Sequence, residues 1–316
     1  MIGERTIDGL AAITLASGES ELEAAFVPDA GMVGCSLLHR GQELLGQRGG
    51  IERYVAERST MGIPLLHPWA NRVGERRFEV MGREIDVAAA EPPPSEDPNG
   101  LPIHGLVSAA RGWQVVRRDA TDDGGTTEAR FDFAGHEGLM RAFPFPHEIG
   151  LEVSLAGRTL TIATSVETTG DRPVPVSFGF HPYFRIPGVD RGDWKIEIPV
   201  RERLLLDERM LPTGDREDVS VASGPLGSRT FDDAYVSPPG GERFAVAGGG
   251  RLVEVAFESG CPFAQVYAPD DDDVIAIEPM TAPTNALVTG GDELPIAEPG
   301  RPYRAVFSVT VAEIGN

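Results

Sequence analysis

Residues 147–169, HEIGLEVSLAGRTLTIATSVETT, alternate apolar and polar side chains on either side of a small turn. Leu151, Val153 and Leu155 fall at every second position, and after Ala156-Gly157 the pattern resumes at Leu160, Ile162 and the Val166 region. Successive strand side chains point to opposite faces of a sheet, so this spacing predicts a two-stranded hairpin with one buried face. The scheme recurs around Met81-Gly82 in RRFEVMGREIDVAA, and in RLVEVAFES, AQVYAPDDDDVIAIEP and YRAVFSVTVAEI. No long segment repeats its apolar residues with the 3.6-residue helical period. The best helix candidate, RERLLLDERMLP at 201–212, ends at a proline. Many short strands between Gly- and Pro-rich turns predict an all-β chain, a large antiparallel sandwich.

Composition agrees. The 38 glycines and 26 prolines make up about a fifth of the 316 residues, above the average of about 12%, and they are spread along the chain as turns require. Length alone suggests two domains of about 150 residues, but β-rich chains often exceed 200 residues as one. The loop AEPPPSEDPNGLP, Ala90 to Pro102, runs directly into IHGLV and reads as a surface or functional loop instead of a linker. Residues 1–316 are therefore expected to form a single domain.

The 49 acidic and 28 basic residues give a formal net charge of −21. Such a field repels nucleic acid and anionic membranes, so neither is an expected partner. Cys35 and Cys261 stand alone, which gives neither a disulfide framework nor a zinc knuckle. The first residues carry Glu4 and Asp8 where a secretory leader wants basic residues, and no segment approaches the roughly 20 apolar residues of a membrane span. The expectation is a soluble, cytoplasmic protein. Nothing in the sequence points to an oligomeric state.

Four stretches carry chemistry. GIPLLHPWANRVGERRF places Asn71 and Arg72 after an apolar run, and NGLPIHGLV sets His104 in a glycine-flanked turn. FGFHPYFRIPG holds His181 between an apolar run and two aromatics, Tyr183 and Phe184. IAIEPMTAPTNAL puts Glu278 directly after the apolar run Val274–Ile277, as if capping a buried strand. A carboxylate buried there without a partner is costly, which points to a shifted pKa. The acidic run Asp270–Asp273 lacks the spaced ligands and glycine of a calcium loop and reads as a solvated hairpin turn, so no metal is expected. His39, His136 and His147 fall in no motif and read as surface or packing residues; His67, beside Asn71-Arg72, also reads more readily as packing than as a pocket residue. Nucleotide-binding, zinc-protease and serine-hydrolase signatures are missing from the sequence.

In this order, NR, HG, HPYF and EPxTxPxN, the motifs resemble those of the aldose 1-epimerase (mutarotase) family. The matched stretches run from Gly62 to Asn285. The resemblance implies a galactose mutarotase-like supersandwich and interconversion of sugar anomers without metal or organic cofactor. It implies Glu278 as the base at the C1 hydroxyl and His181 as the acid at the ring oxygen, an imidazole near its ordinary pKa of about 6.5 suiting that task. His104, Arg72, Asn71 and Tyr183 would contact the sugar, together with an aspartate mapped to Asp232 in TFDDAYV, whose neighbour Asp233 competes for the assignment. The substrate expected is a free hexose. A hexose 6-phosphate is the alternative, with Arg72, Arg76, Arg77 and Arg185 as candidate phosphate ligands. A non-catalytic sugar binder on the same scaffold is the other, although a binder needs no acid and base together.

Overall fold

The computed structural model describes residues 1–238 and 241–315. The 147–169 stretch forms the hairpin its alternation demands. Strands His147–Ala156 and Thr159–Thr168 pair antiparallel, with Ile149, Leu151, Val153 and Leu155 buried and the residues between them half-buried. This hairpin lies inside a nine-stranded antiparallel sheet. Gln114–Thr121 and Gly124–Asp132 extend it on one side; Tyr303–Glu313, Arg251–Ser259, Phe244–Gly248, Lys195–Glu197 and Gly224–Pro225 extend it on the other.

An eight-stranded sheet carries Pro212–Asp218, Glu202–Leu206, Phe231–Val236, Phe263–Ala268, Ile275–Met280, Gly179–Phe180 and Leu65–Leu66 in that spatial order, with Tyr183–Phe184 also paired to Ile275–Met280. A five-stranded sheet, Ile2–Ile7 through Gln42–Glu43, packs at the N-terminal end. The main core lies between the two large sheets. Leu151, Ile162, Val253 and Val309 from the nine-stranded sheet share it with Val266, Ile275 and Ile277 from the eight-stranded one. Because side chains alternate, the eight-stranded sheet has a second face. That face carries smaller apolar clusters around Leu66, Leu204 and Met280 and around Tyr183, Val274 and Ala276.

The chain is all-β and antiparallel, as its alternation predicts. The helix candidate is overturned. Residues 202–206 are a strand, and the Asp207 carboxylate accepts from the N–H groups of Arg209 and Leu211 at 2.8 and 3.0 Å, turning the chain into the strand Pro212–Asp218. An aspartate that bonds its own following backbone competes with a helix at that point. The short helices Gly50–Glu57, Glu137–Ala142 and Ala286–Thr289 lie elsewhere. Met81-Gly82 forms the expected tight turn, both residues with positive φ. Among the described residues no helix is long and apolar enough to cross a membrane.

The HG turn depends on its glycine. Gly105 has φ +70°, and a Cβ there would meet the His67 carbonyl oxygen at 2.3 Å. The same carbonyl accepts the N–H groups of Leu106 and Val107. Gly105→Ala should cost at least about 1–2 kcal/mol from the left-handed backbone alone, with the clash in addition. A denaturant melt compared with wild type measures it; an unchanged midpoint would contradict the reading.

Candidate active site

Strand register brings the two outermost motifs together. Strand Ile275–Met280 pairs Met280 with Gly179 and Ala276 with Tyr183, so the same register puts His181 opposite Glu278. On its other side Glu278 pairs with Gln265, and Ala276 with Tyr267; the latter in turn pairs with Asp232. Two cross-strand rows result, His181–Glu278–Gln265 and Tyr183–Ala276–Tyr267–Asp232. Directly opposed residues share a face with Cβ atoms roughly 4.5–5.5 Å apart, which gathers all these side chains on the second face of the sheet. Small Ala276 leaves room between its larger neighbours.

The rows floor a cavity of about 190 Å³ lined by Asn71, Arg72, His104, His181, Tyr183, Asp232 and Glu278, together with Arg48, Thr60, Ile103, Gln265 and Tyr267. It is smaller than the roughly 300–1,000 Å³ of drug-sized pockets. All seven residues singled out in the sequence border this one space. A larger open cavity of about 560 Å³ near Glu197–Arg201 and Val219–Val221 lies away from all of them.

One expectation needs correction. Glu278 is not a strand cap: the strand continues through Pro279 to Met280, with Glu278 1% exposed inside it. Phe184 points the opposite way from Tyr183, into the main core. His67 lies in the core, in line with its packing reading, with its Nε2 2.7 Å from Nε2 of the equally buried His147. The same alternation decides between the two aspartates. Asp232 faces the cavity, whereas Asp233 shares the opposite face with Tyr235 and ion-pairs with Arg203 at 3.2 Å.

Loops complete the wall. Asn71 and His104 both adopt positive φ, and the His104 N–H donates to the Asn71 carbonyl at 2.9 Å. Arg72 is held on three sides. Its Nε donates to buried Asp97 at 2.7 Å, its NH1 to the Asn71 side-chain oxygen at 2.9 Å, and its NH2 lies 3.9 Å from Asp232. Asp97 belongs to the Pro-rich loop and also accepts from the N–H groups of Asn99 and Leu101. Burial opposes its charge, but these bonds and Arg72 outweigh it and hold the carboxyl below its usual range. Asn285, the last residue of EPxTxPxN, donates its N–H to the Arg72 carbonyl and accepts from Gly74 at 2.7 Å. The C-terminal motif therefore braces the NR motif.

His181 Nε2 and Glu278 Oε1 stand 3.2 Å apart, both nearly inaccessible. Burial, reinforced by Asp232 and only partly offset by Arg72, raises the Glu278 pKa well above its ordinary value. Burial, with His104 and Arg48 adding to it, drives the His181 pKa well below 6.5. The expectation of an imidazole near its ordinary pKa is thus overturned: burial opposes the charged form of both groups. His104, pushed down to about 3 by burial and then by Arg72 and Arg48, is neutral. Burial raises Asp232 despite Arg72 and Gln265, the latter donating to it at 2.6 Å. Glu278 Oε2, His181 Nδ1, His104 Nδ1 and Gln265 Oε1 are buried without a protein partner.

These shifts set a pH dependence of stability. The folded pair keeps one proton across the range between the lowered histidine and the raised glutamate, while the unfolded chain holds two below pH 4.5, one between 4.5 and 6.5, and none above. Stability from this pair should rise with pH up to about 4.5, stay level to about 6.5, and then fall by about 1.4 kcal/mol per pH unit. Subtracting the pH–stability curve of a Glu278→Gln/His181→Asn variant from that of wild type isolates the effect; a difference that kept rising above pH 6.5 would contradict the shared proton.

Among the described residues no cluster of three or more His, Cys, Asp or Glu could hold a metal ion. Asp270–Asp273 is the expected turn between strands, although Asp272 also receives Arg48 at 3.1 Å. Candidate phosphate ligands lie outside the cavity apart from Arg72: Arg76 pairs with Glu96, Arg77 with Asp86, and Arg185 is exposed.

A histidine and a glutamate thus face one small polar cavity on an antiparallel supersandwich. The sequence matches the aldose 1-epimerase family model over residues 25–310, and the chain belongs to that family. It is similar in fold to a galactose mutarotase-like protein from Clostridium acetobutylicum (19% identity, 99% of each chain, TM-score 0.86). Galactose 1-epimerase from Lactobacillus acidophilus superimposes over 100% of this chain and 99% of that one, at 14% identity and TM-score 0.77. An aldose epimerase homologue from C. elegans matches at 16% identity over 100% of both chains, TM-score 0.74. No curated protein matches the sequence.

Proposed function

We propose that the protein is an aldose 1-epimerase that interconverts the α and β anomers of a free hexose, with residues 1–316 acting as one cytoplasmic domain. The carrying observation is that His181 and Glu278, opposed in strand register, meet at 3.2 Å in a cavity the size of one sugar ring. Both oxygens that exchange protons in mutarotation, the C1 hydroxyl and the ring oxygen, are bonded to C1. The acid and base must therefore both reach oxygens carried by C1.

Proton accounting then closes. Moving the shared proton from Glu278 to His181 makes a carboxylate and an imidazolium. Glu278 takes the proton of the C1 hydroxyl as the imidazolium protonates the ring oxygen, and the C1–O5 bond breaks. This leaves the open-chain aldehyde beside the neutral pair that burial favours. Rotation about C1–C2 presents the other carbonyl face, and the reverse transfers close the ring as the other anomer. No redox step or covalent intermediate is involved. Arg72, fixed by Asp97 and Asn71, would offer its remaining N–H groups to sugar hydroxyls, with His104, Asp232 and Tyr183 completing the contacts.

A neutral sugar is favoured over a phosphorylated one. Both arginines lining the cavity already face carboxylates, Arg72 with Asp97 and Arg48 with Asp272, and Asp232 and Glu278 add acid. Anomer exchange of glucose and of glucose 6-phosphate, followed by proton NMR at equal concentrations, should be faster for glucose. Preference for the phosphate would overturn the free-hexose reading.

A further inference from the structure

Arg48 belongs to none of the sequence motifs, yet its guanidinium reaches the cavity wall. Its Nε donates to Asp272 at 3.1 Å and its NH1 to the Tyr183 hydroxyl at 3.0 Å, and its guanidinium carbon lies 4.9 Å from the centre of the Tyr183 ring. The same hydroxyl lies 2.6 Å from Thr60 Oγ1. Tyr183 in turn stacks on His181, with ring centres 4.1 Å apart and planes at 17°. The Tyr183 hydroxyl is also within hydrogen-bond distance of His181 Nε2, at 3.2 Å.

We propose that Arg48, anchored by Asp272, is a positioning residue for His181: by holding the Tyr183 hydroxyl and covering its ring, it fixes the pose of the imidazole stacked on that ring. The charged and titratable groups facing His181 are few. Glu278 at 3.2 Å would favour an imidazolium when ionised, whereas Arg48 opposes it. His104, with its ring centre 5.4 Å away, is neutral; Tyr183 and Tyr267, the latter at 5.9 Å, are phenols that burial keeps protonated. Arg72 and Asp232 share the cavity, Arg72 being paired with Asp97 and lying 3.9 Å from Asp232; Arg48 is the arginine that lowers the His181 pKa, after burial and His104. The acidic turn has a role beyond solvation, since Asp272 holds that cation in place. The consequence for catalysis rests on the acid/base reading above; the geometry and charge effect do not.

NMR titration of the His181 ring signals in the full-length, sugar-free protein tests this directly. Arg48→Met should move the protonation midpoint of His181 upward by about 1 pH unit or more, the size expected for one charge a few ångström away. Arg48→Lys, which keeps the charge but loses the fork, should stay nearer the native midpoint. If the methionine variant does not fold, Arg48→Gln serves by the same criterion. Tyr183→Phe should shift the His181 ring signals by releasing the tether, with a smaller midpoint change than Arg48→Met. A native midpoint in Arg48→Met, or native ring signals in Tyr183→Phe, overturns the proposal. Because no sugar is present, the outcome is independent of whether the protein turns sugars over.

Discussion

Glu278→Gln should lower the rate of catalysed anomer exchange by about 10²–10⁴-fold, the usual contribution of a positioned general base. The amide keeps the shape of the side chain but can neither take the C1 proton nor carry the shared one. Glu278 is buried within a paired strand, so a larger change would confuse lost chemistry with lost packing. The isosteric variant avoids this. Removing an acid whose ionisation is opposed by burial also relieves a cost, so the variant should be at least as stable as wild type at neutral pH. Loss of activity together with preserved stability separates a catalytic role from a structural one. Polarimetry and thermal melts supply both readings; full activity in Glu278→Gln would remove the proposed base.

His181→Asn should cost a similar factor, about 10²–10⁴. Asparagine retains a polar group near Glu278 but cannot hold a proton at pH 7. Combining the two changes should cost little more than either alone, because acid and base work on one proton inventory and such losses do not add. Activity in wild type should follow a bell in pH, falling when the pair gains a second proton and again when it loses its first. Those limits belong to the pair and not to either residue. An additive double variant would contradict the shared proton even if each single variant were slow.

The hairpins were legible because alternation is a local property: Leu151, Val153 and Leu155 report their common face without reference to any other strand. The four motifs were legible as a set, and their residues do line one cavity. The meeting of His181 with Glu278 was not legible from spacing. It depends on the register of Gly179 and Tyr183 against Met280 and Ala276, a nonlocal pairing. The same lack of a partner strand left Asp233 competing with Asp232, and pairing against Tyr267 separates them. Arg48, Thr60, Gln265 and Tyr267 escaped notice because each lies in an ordinary strand or turn, and Asp97 because D-P-N-G reads simply as a turn. Alternation from Glu278 back across AQVYAPDDDDVIAIEP could have suggested Gln265 and Tyr267, had the strand pairing been assumed. The error over RERLLLDERMLP arose from reading an apolar trio without weighing Asp207 as a turn former.

The most direct measurement of the central claim is proton NMR of freshly dissolved α-glucose or α-galactose, with catalytic amounts of protein, following the two anomeric signals to equilibrium. The account expects equilibration many times faster than in buffer, with no third product and with the acceleration abolished by Glu278→Gln. Equilibration at the buffer rate with intact, folded protein across a panel of free aldoses would contradict it.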